Sequence, residues 1–350
     1  MVDKGGIGVL PIPPRRSSTI HLDLAPCVQG RCFLRIIFRQ QGQSLWANAG
    51  EPAAHFQFEL PCSDEEIVKE SEYSPVRVQQ NRTEIFLAGD DFEYKFDAIT
   101  GAFSKINAVG ANLLSSPMRY DIHTAAQENS TDKEFTAKLK ESYARVYEVD
   151  CRPIGDGCDI SAKLALCING APPIAYVDAQ YIMNPAGDIQ ASFDVNLPNS
   201  PSALPGFGLT LPINRAFDDV TYFGMGPTES RADQKSGAYK GLFKASVSDM
   251  TPASGEHGQR YATEWAAVQA VDKRGIMLKG EFILAVKADC DAVQTDVYAG
   301  FLGASGAGIA EKNFRFDMLI RPIAADGTPL QELSATRYDW DEGYTDSQAQ

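Results

Sequence analysis

The chain is poor in the side chains that usually announce chemistry. It has four histidines, at 21, 55, 123 and 257, and three tryptophans, at 46, 265 and 340. Seven cysteines, at 27, 32, 62, 151, 158, 167 and 290, include no Cys-x-x-Cys pair, so zinc-ligand spacing is absent and no metal site is expected. Their odd number and scatter suit reduced thiols in a cytoplasmic setting better than a disulfide framework. No apolar run approaches the length of a membrane span, and MVDKGGIGVLPIPPRR lacks the apolar centre of a signal peptide, so no membrane partner is expected. Without such a signal, the Asn81-Arg82-Thr83 and Asn129-Ser130-Thr131 sequons read as chance. Cations are in deficit. The formal net charge of -14 argues against a nucleic-acid ligand, which needs clustered Lys and Arg to displace counterions. A neutral or cationic small molecule fits better. No glycine-rich phosphate loop sits at a strand-to-helix junction, so no nucleotide cofactor is expected, and no serine-centred elbow occurs.

What the chain has in quantity is alternation. Its 350 residues suffice for two domains, and 44% hydrophobic with 22% charged residues is ordinary for a globular protein. After a Gly- and Pro-rich start over 1–16, strand-like runs are predicted at Thr19–Leu24, Cys32–Arg39 and Ala53–Leu60. An acidic run, SDEEIVKESEYSP, marks a linker over 63–75. Beyond it strands are predicted at Glu84–Ala88, Phe92–Asp97, Ala102–Asn107, Asp159–Cys167, Ile174–Met183 and Ile189–Leu197. Further strands are expected at Gly208–Pro212, Val220–Gly224, Leu242–Ser248, Tyr261–Val271, Gly275–Val286 and Asn313–Pro322. One short helix is expected over Thr131–Glu141, and an acidic tail over 339–350. Long strands separated by turn residues, with hardly a helix, imply an all-β protein of stacked antiparallel sheets.

Two linked motifs stand out. The first runs Tyr222, Phe223, Gly224, Gly226, Pro227, Glu229, Asp233, Lys235; the second runs Glu256, His257, Gly258, Gln259, Arg260. In this order and spacing they resemble the C-terminal small-chain domain of glycoside hydrolase family 2 β-galactosidases. That resemblance implies a large antiparallel super-sandwich, galactose mutarotase-like, over 76–338. The segment FLRIIFRQQGQSLWANAGEPAAHFQFELP is similar to the end of the sandwich domain that precedes the small chain. Residues 1–62 thus read as a partial immunoglobulin-like β-sandwich, whose apolar face must be covered by the rest of this chain or by another.

The resemblance also says where the chemistry would be. Family 2 enzymes hydrolyse with two glutamates about 5 Å apart, both on a (β/α)8 barrel. The sequence has no strand–helix alternation that could build one. Loops that approach the sugar in the family are altered here. Thr124–Ser130 stands in place of Arg-Ala-Pro-Thr-Asp-Asn-Asp, and Ala292–Asn313 has no Trp, with Thr295 at the position of the usual aromatic. The leading expectation is a carbohydrate-active enzyme component that works with a barrel-bearing large chain or by self-association. A repurposed scaffold that binds or converts another small molecule, and a noncatalytic sugar-binding module, are the alternatives.

Candidate site residues follow from the motifs. His257, beside Glu256 and Arg260, is either a general acid/base or a histidine on a surface turn. Glu229, Asp233 and Lys235 form either a binding cluster or a salt-bridged turn. Arg260 is expected to anchor its loop to a carbonyl or to Glu256. Tyr222, Tyr239 and Trp265 either stack on a ligand or pack in the core.

Overall fold

A computed structural model describes residues 5–24, 32–60, 73–122, 139, 141–198, 206–232, 234–251, 258–288, 294–301, 309 and 312–326. The chain divides into two compact units, Met1–Lys69 with Pro329–Gln350, and Glu70–Thr328.

In the first unit, β1 (Cys32–Arg39) pairs antiparallel with β2 (Pro52–Leu60). Opposed residues of such a pair share a face. The register sets Leu34 against Phe58, Ile36 against Phe56 and Phe38 against Ala54, so one face is wholly apolar. Phe38, Phe56 and Phe58 on it are 47%, 55% and 53% exposed. Thr19–Leu24, expected as a strand, is not one: it lies exposed and pairs with no strand among the described residues.

The second unit is a sandwich. Its smaller sheet is a five-stranded meander of β3 (Arg77–Gln80), β4 (Glu84–Ala88), β5 (Phe92–Asp97), β6 (Ala102–Ala108) and β7 (Ala111–Asn112). The larger sheet holds β8 (Arg119–Asp121), β9 (Tyr143–Ile154), β10 (Gly157–Cys167), β11 (Ala175–Met183), β12 (Ile189–Asn196), β13 (Gly208–Asn214) and β14 (Phe217–Gly226). It continues with β15 (Tyr239–Ser246), β16 (Gly258–Ala270), β17 (Gly275–Ala288), β18 (Gln294–Gly300) and β19 (Asn313–Ile323). The main order is β15-β14-β16-β17-β19-β12-β11-β10-β9, and β18, β13 and β8 branch from β17. Every strand pairing of this sheet among the described residues is antiparallel.

One core fills the space between these sheets. The alternation that marked β5 and β12 aims Phe92, Tyr94, Phe96 and Ile189, Ala191, Phe193, Val195 inward. At its centre Tyr181 meets Phe96, Phe103 and Phe193 edge-on, with ring centroids 5.4–5.7 Å apart. Such pairs add about 0.5–1.5 kcal/mol each beyond buried area. The phenols of this core are satisfied: Tyr120 Oη donates to the Gly101 carbonyl at 2.9 Å and meets Tyr181 Oη at 2.9 Å. Tyr94 Oη donates to the Gly187 carbonyl at 2.7 Å. The β11–β12 turn is tied to β19 by Arg321, which donates to Asp188 at 2.9 and 2.7 Å.

Two further local expectations change. The strand predicted to run to Ser248 stops at Ser246, where one helical turn, α1 (Val247–Met250), begins. Ser246 Oγ accepts from the Asp249 N–H and the Asp249 carboxylate accepts from the Ser246 N–H, a reciprocal cap stronger than strand propensity. β9 and β18 went unanticipated. β9 is an edge strand, half exposed, and a bulge opposite Lys163/Leu164 breaks its alternation. The helix expected over Thr131–Glu141 lies outside the described residues except for Leu139 and Glu141. No described helix is long and apolar enough to cross a membrane.

Candidate functional site

The first motif is the end of β14 and the turn after it. Gly224 and Gly226 are there for space. A Cβ on Gly224 would lie 2.6 Å from Thr263 Oγ1 and 2.9 Å from Thr263 Cα, and one on Gly226 would strike the Tyr222 phenol and the Phe243 ring. The spared volume lets β16 and the Tyr222 ring close on the strand. Gly226-Pro227 is a cis peptide that turns the chain back toward β16.

Here the two motifs meet. Arg260, 6% exposed, donates from Nε to Tyr222 Oη at 2.9 Å and from Nη1 to the Gln259 carbonyl at 3.2 Å. Tyr222 Oη also donates to the Pro227 carbonyl at 3.4 Å. Burial pushes the Tyr222 phenol above its usual pKa, and the Arg260 charge draws it part of the way back. The guanidinium, 5.8 Å from the ring centroid, serves the phenol and the ring face together.

Ser230 completes the junction and was not singled out from the sequence. It is fully buried. Its N–H donates to the Gln259 carbonyl at 2.9 Å, its Oγ donates to the Met225 carbonyl at 2.9 Å, and the same Oγ accepts from the Tyr261 N–H at 2.9 Å. One small hydroxyl therefore ties the end of β14, the turn and β16. The only signal was a small polar residue between Glu229 and Arg231, which many loops share.

The remaining candidates are dispersed around this knot. Glu229 is partly exposed and accepts from Arg231 Nε at 3.0 Å. Lys235 places Nζ 5.8 Å from the Tyr261 ring centroid. Tyr239 stacks edge-on against Phe243, which in turn packs on Tyr222. Trp265 pairs with Phe223 across β14 and β16, on the face turned away from Tyr222. It is 5% exposed, and its Nε1 has no hydrogen-bond partner among the described residues. Between Arg260 and Trp265 the ladder slips twice and Ala262 takes a left-handed φ of 48°. Thr295 is buried on β18 and accepts from Arg215 at 3.4 Å. Asp233, Glu256 and His257 lie outside the described residues.

Chemically, the described knot holds and orients. Tyr222 Oη, Ser230 Oγ and Arg260 Nε are each spent on a partner within it, and among the described residues no group of three His, Cys, Asp or Glu side chains could hold a metal ion.

The family described as "Beta galactosidase small chain" matches residues 88–338. The chain belongs to the β-galactosidase small-chain family. Its match thus covers the meander from the end of β4 onward, the larger sheet and both motifs. Among curated relatives, the β-galactosidase of Priestia megaterium is 28% identical over 255 residues, 71% of this chain and 24% of that enzyme. That of Actinobacillus pleuropneumoniae is 26% identical over 201 residues, 55% and 20% of the two chains. The small-chain protein therefore spans about a quarter or less of these relatives. Among solved structures, a putative aldose 1-epimerase from Escherichia coli K12 superposes with a TM-score of 0.43 at 9% identity, covering 66% of this chain and 96% of that one. Galactose 1-epimerase from Lactobacillus acidophilus gives 0.40 at 10% identity, covering 72% and 98%.

Proposed function

We propose that this small-chain protein is a non-hydrolytic component of a β-galactosidase, and that glycosidic bond cleavage is supplied by a barrel-bearing large chain. The observation that carries the reading is coverage. The match to each of the two relatives covers a quarter or less of the enzyme's length, and the described residues build antiparallel sheets with one helical turn. A (β/α)8 barrel of about 250 residues has no counterpart among them. The Tyr222–Ser230–Arg260 knot supports a holding role, since it fixes the turn between the motifs without offering an acid and a nucleophile.

The apolar face of β1 and β2 is the proposed contact. A two-stranded sheet is marginal alone, and an exposed face carrying Phe38, Phe56 and Phe58 favours a partner that finishes the sandwich. The test is complementation. The Priestia megaterium enzyme, truncated of the part this chain matches, is mixed with equimolar small-chain protein and assayed on a chromogenic galactoside. Hydrolysis that rises on mixing, with co-elution in gel filtration, is expected. Hydrolysis by the small-chain protein alone would overturn the reading.

A further inference from the structure

The β9–β10 hairpin carries two cysteines whose sulfurs touch. Cys151 Sγ lies 3.8 Å from Cys158 Sγ, and all four described cysteines are free thiols. Cys158 is fully buried, whereas Cys151 is partly exposed at the rim of the core. The pair has no part in the knot between β14 and β16.

The register decides what the pair can do. Cys151 faces Ile160 and Cys158 faces Pro153, so the two cysteines are diagonal neighbours on one face of the ladder. Diagonal residues sit about 7–8 Å apart between strands, somewhat less at Cβ. A disulfide requires Cα atoms within about 6.8 Å, Cβ atoms about 3.5–4.5 Å apart and sulfurs at about 2.05 Å. Direct oxidation would therefore require the backbone to move. The 3.8 Å between the sulfurs suits a bridging atom better. Two sulfurs bound to one soft centre through bonds of about 2.3 Å lie about 3.3 Å apart on a pyramidal centre and about 3.8 Å apart on a tetrahedral one, so the observed separation needs only a small approach. No third His, Cys, Asp or Glu among the described residues completes a metal site, so the bridged centre must bring its own remaining ligand.

We propose that Cys151 and Cys158 form a dithiol site for a thiophilic electrophile with two exchangeable positions, of which a monosubstituted arsenic(III) oxide is the probe. Cys151 attacks first, being the more exposed. Its thiol is also the easier to ionise, because the Cys158 S–H can donate to it, and the same bond together with burial pushes Cys158 up. The Cys151 sulfur adds to arsenic and the arsenic-bound oxygen becomes a hydroxyl. The Cys158 sulfur then displaces that hydroxyl as water, which carries off the second thiol proton. Two arsenic–sulfur bonds form, the arsenic–oxygen bond breaks, and no electrons change hands.

The test uses the full chain, reduced, with one equivalent of phenylarsine oxide, followed by desalting and intact-mass measurement. One adduct is expected, mapping to the peptide that spans β9 and β10, released by 2,3-dimercaptopropanol and resistant to 2-mercaptoethanol. Cys151→Ser is expected to lower retention by about 100-fold or more, the advantage of an intramolecular second site. Cys167→Ser should leave it unchanged. Cys158→Ser should match Cys151→Ser; if its melting curve shows it unfolded, the Cys151→Ser result alone decides. Absence of an adduct, release by the monothiol, or full retention in Cys151→Ser would each overturn the proposal.

Discussion

Replacing Ser230 with alanine isolates the junction between the two motifs. The substitution removes one oxygen from a fully buried site and leaves almost no cavity, so its cost is a matter of hydrogen bonds. The Tyr261 N–H loses its acceptor 2.9 Å away, and the Met225 carbonyl loses a donor at the same distance. An orphaned buried donor costs about 1–3 kcal/mol and a lost neutral hydrogen bond about 0.5–1.5 kcal/mol, so about 3 kcal/mol is expected in total. For a unit the size of residues 70–328, about 3 °C of melting temperature accompanies each kcal/mol, giving a fall of about 9 °C. Differential scanning calorimetry of Ser230→Ala beside Ser236→Ala measures it. Ser236 is exposed on the same turn and should change stability by less than about 0.5 kcal/mol. If the two variants melt within a degree of each other, Ser230 does not tie the strands and the knot is wrongly described.

Two other outcomes follow from backbone and burial. Ala262 adopts a left-handed φ of 48°, a conformation that costs an L-residue about 1–2 kcal/mol, so Ala262→Gly should raise stability by about 0.5–1 kcal/mol in urea melts; a loss would mean the bulge needs the Ala262 methyl group. Burial is the first cause that raises the phenol pKa values of Tyr94, Tyr120, Tyr181 and Tyr222. Unfolded tyrosine ionises near about pH 10, so the stability these groups confer is fully present below that pH and is lost as pH rises above it. Phenolate absorbance should therefore lag behind that of the exposed tyrosines and appear together with loss of near-ultraviolet circular dichroism. Smooth ionisation of every tyrosine in a still-folded protein would refute that burial.

The fold was legible because sheets advertise themselves by a period of two. Phe92, Tyr94 and Phe96, or Ile189 through Val195, could bury one face only as strands, and the structure has them so. The two motifs were legible as a linked pair only through their resemblance to a family, not through any period, and that likeness did not say that they meet at Tyr222 and Arg260. β9 was not legible, because an edge strand is half exposed and its bulge erases the alternation. Nor was the end of β15, where one serine and one aspartate close a cap that outweighs the strand pattern.

By itself, then, the sequence determined the all-β class, the inward-facing residues and the likeness of Tyr222–Arg260 to a known family, since each depends on neighbours a few residues apart. Tertiary structure alone decided that Arg260 serves Tyr222, that Ser230 rather than Glu229 ties the turn to β16, and that Cys151 and Cys158 touch. Those facts depend on strand register. Register is a sum over a whole ladder of pairings, and no single residue in the chain records it.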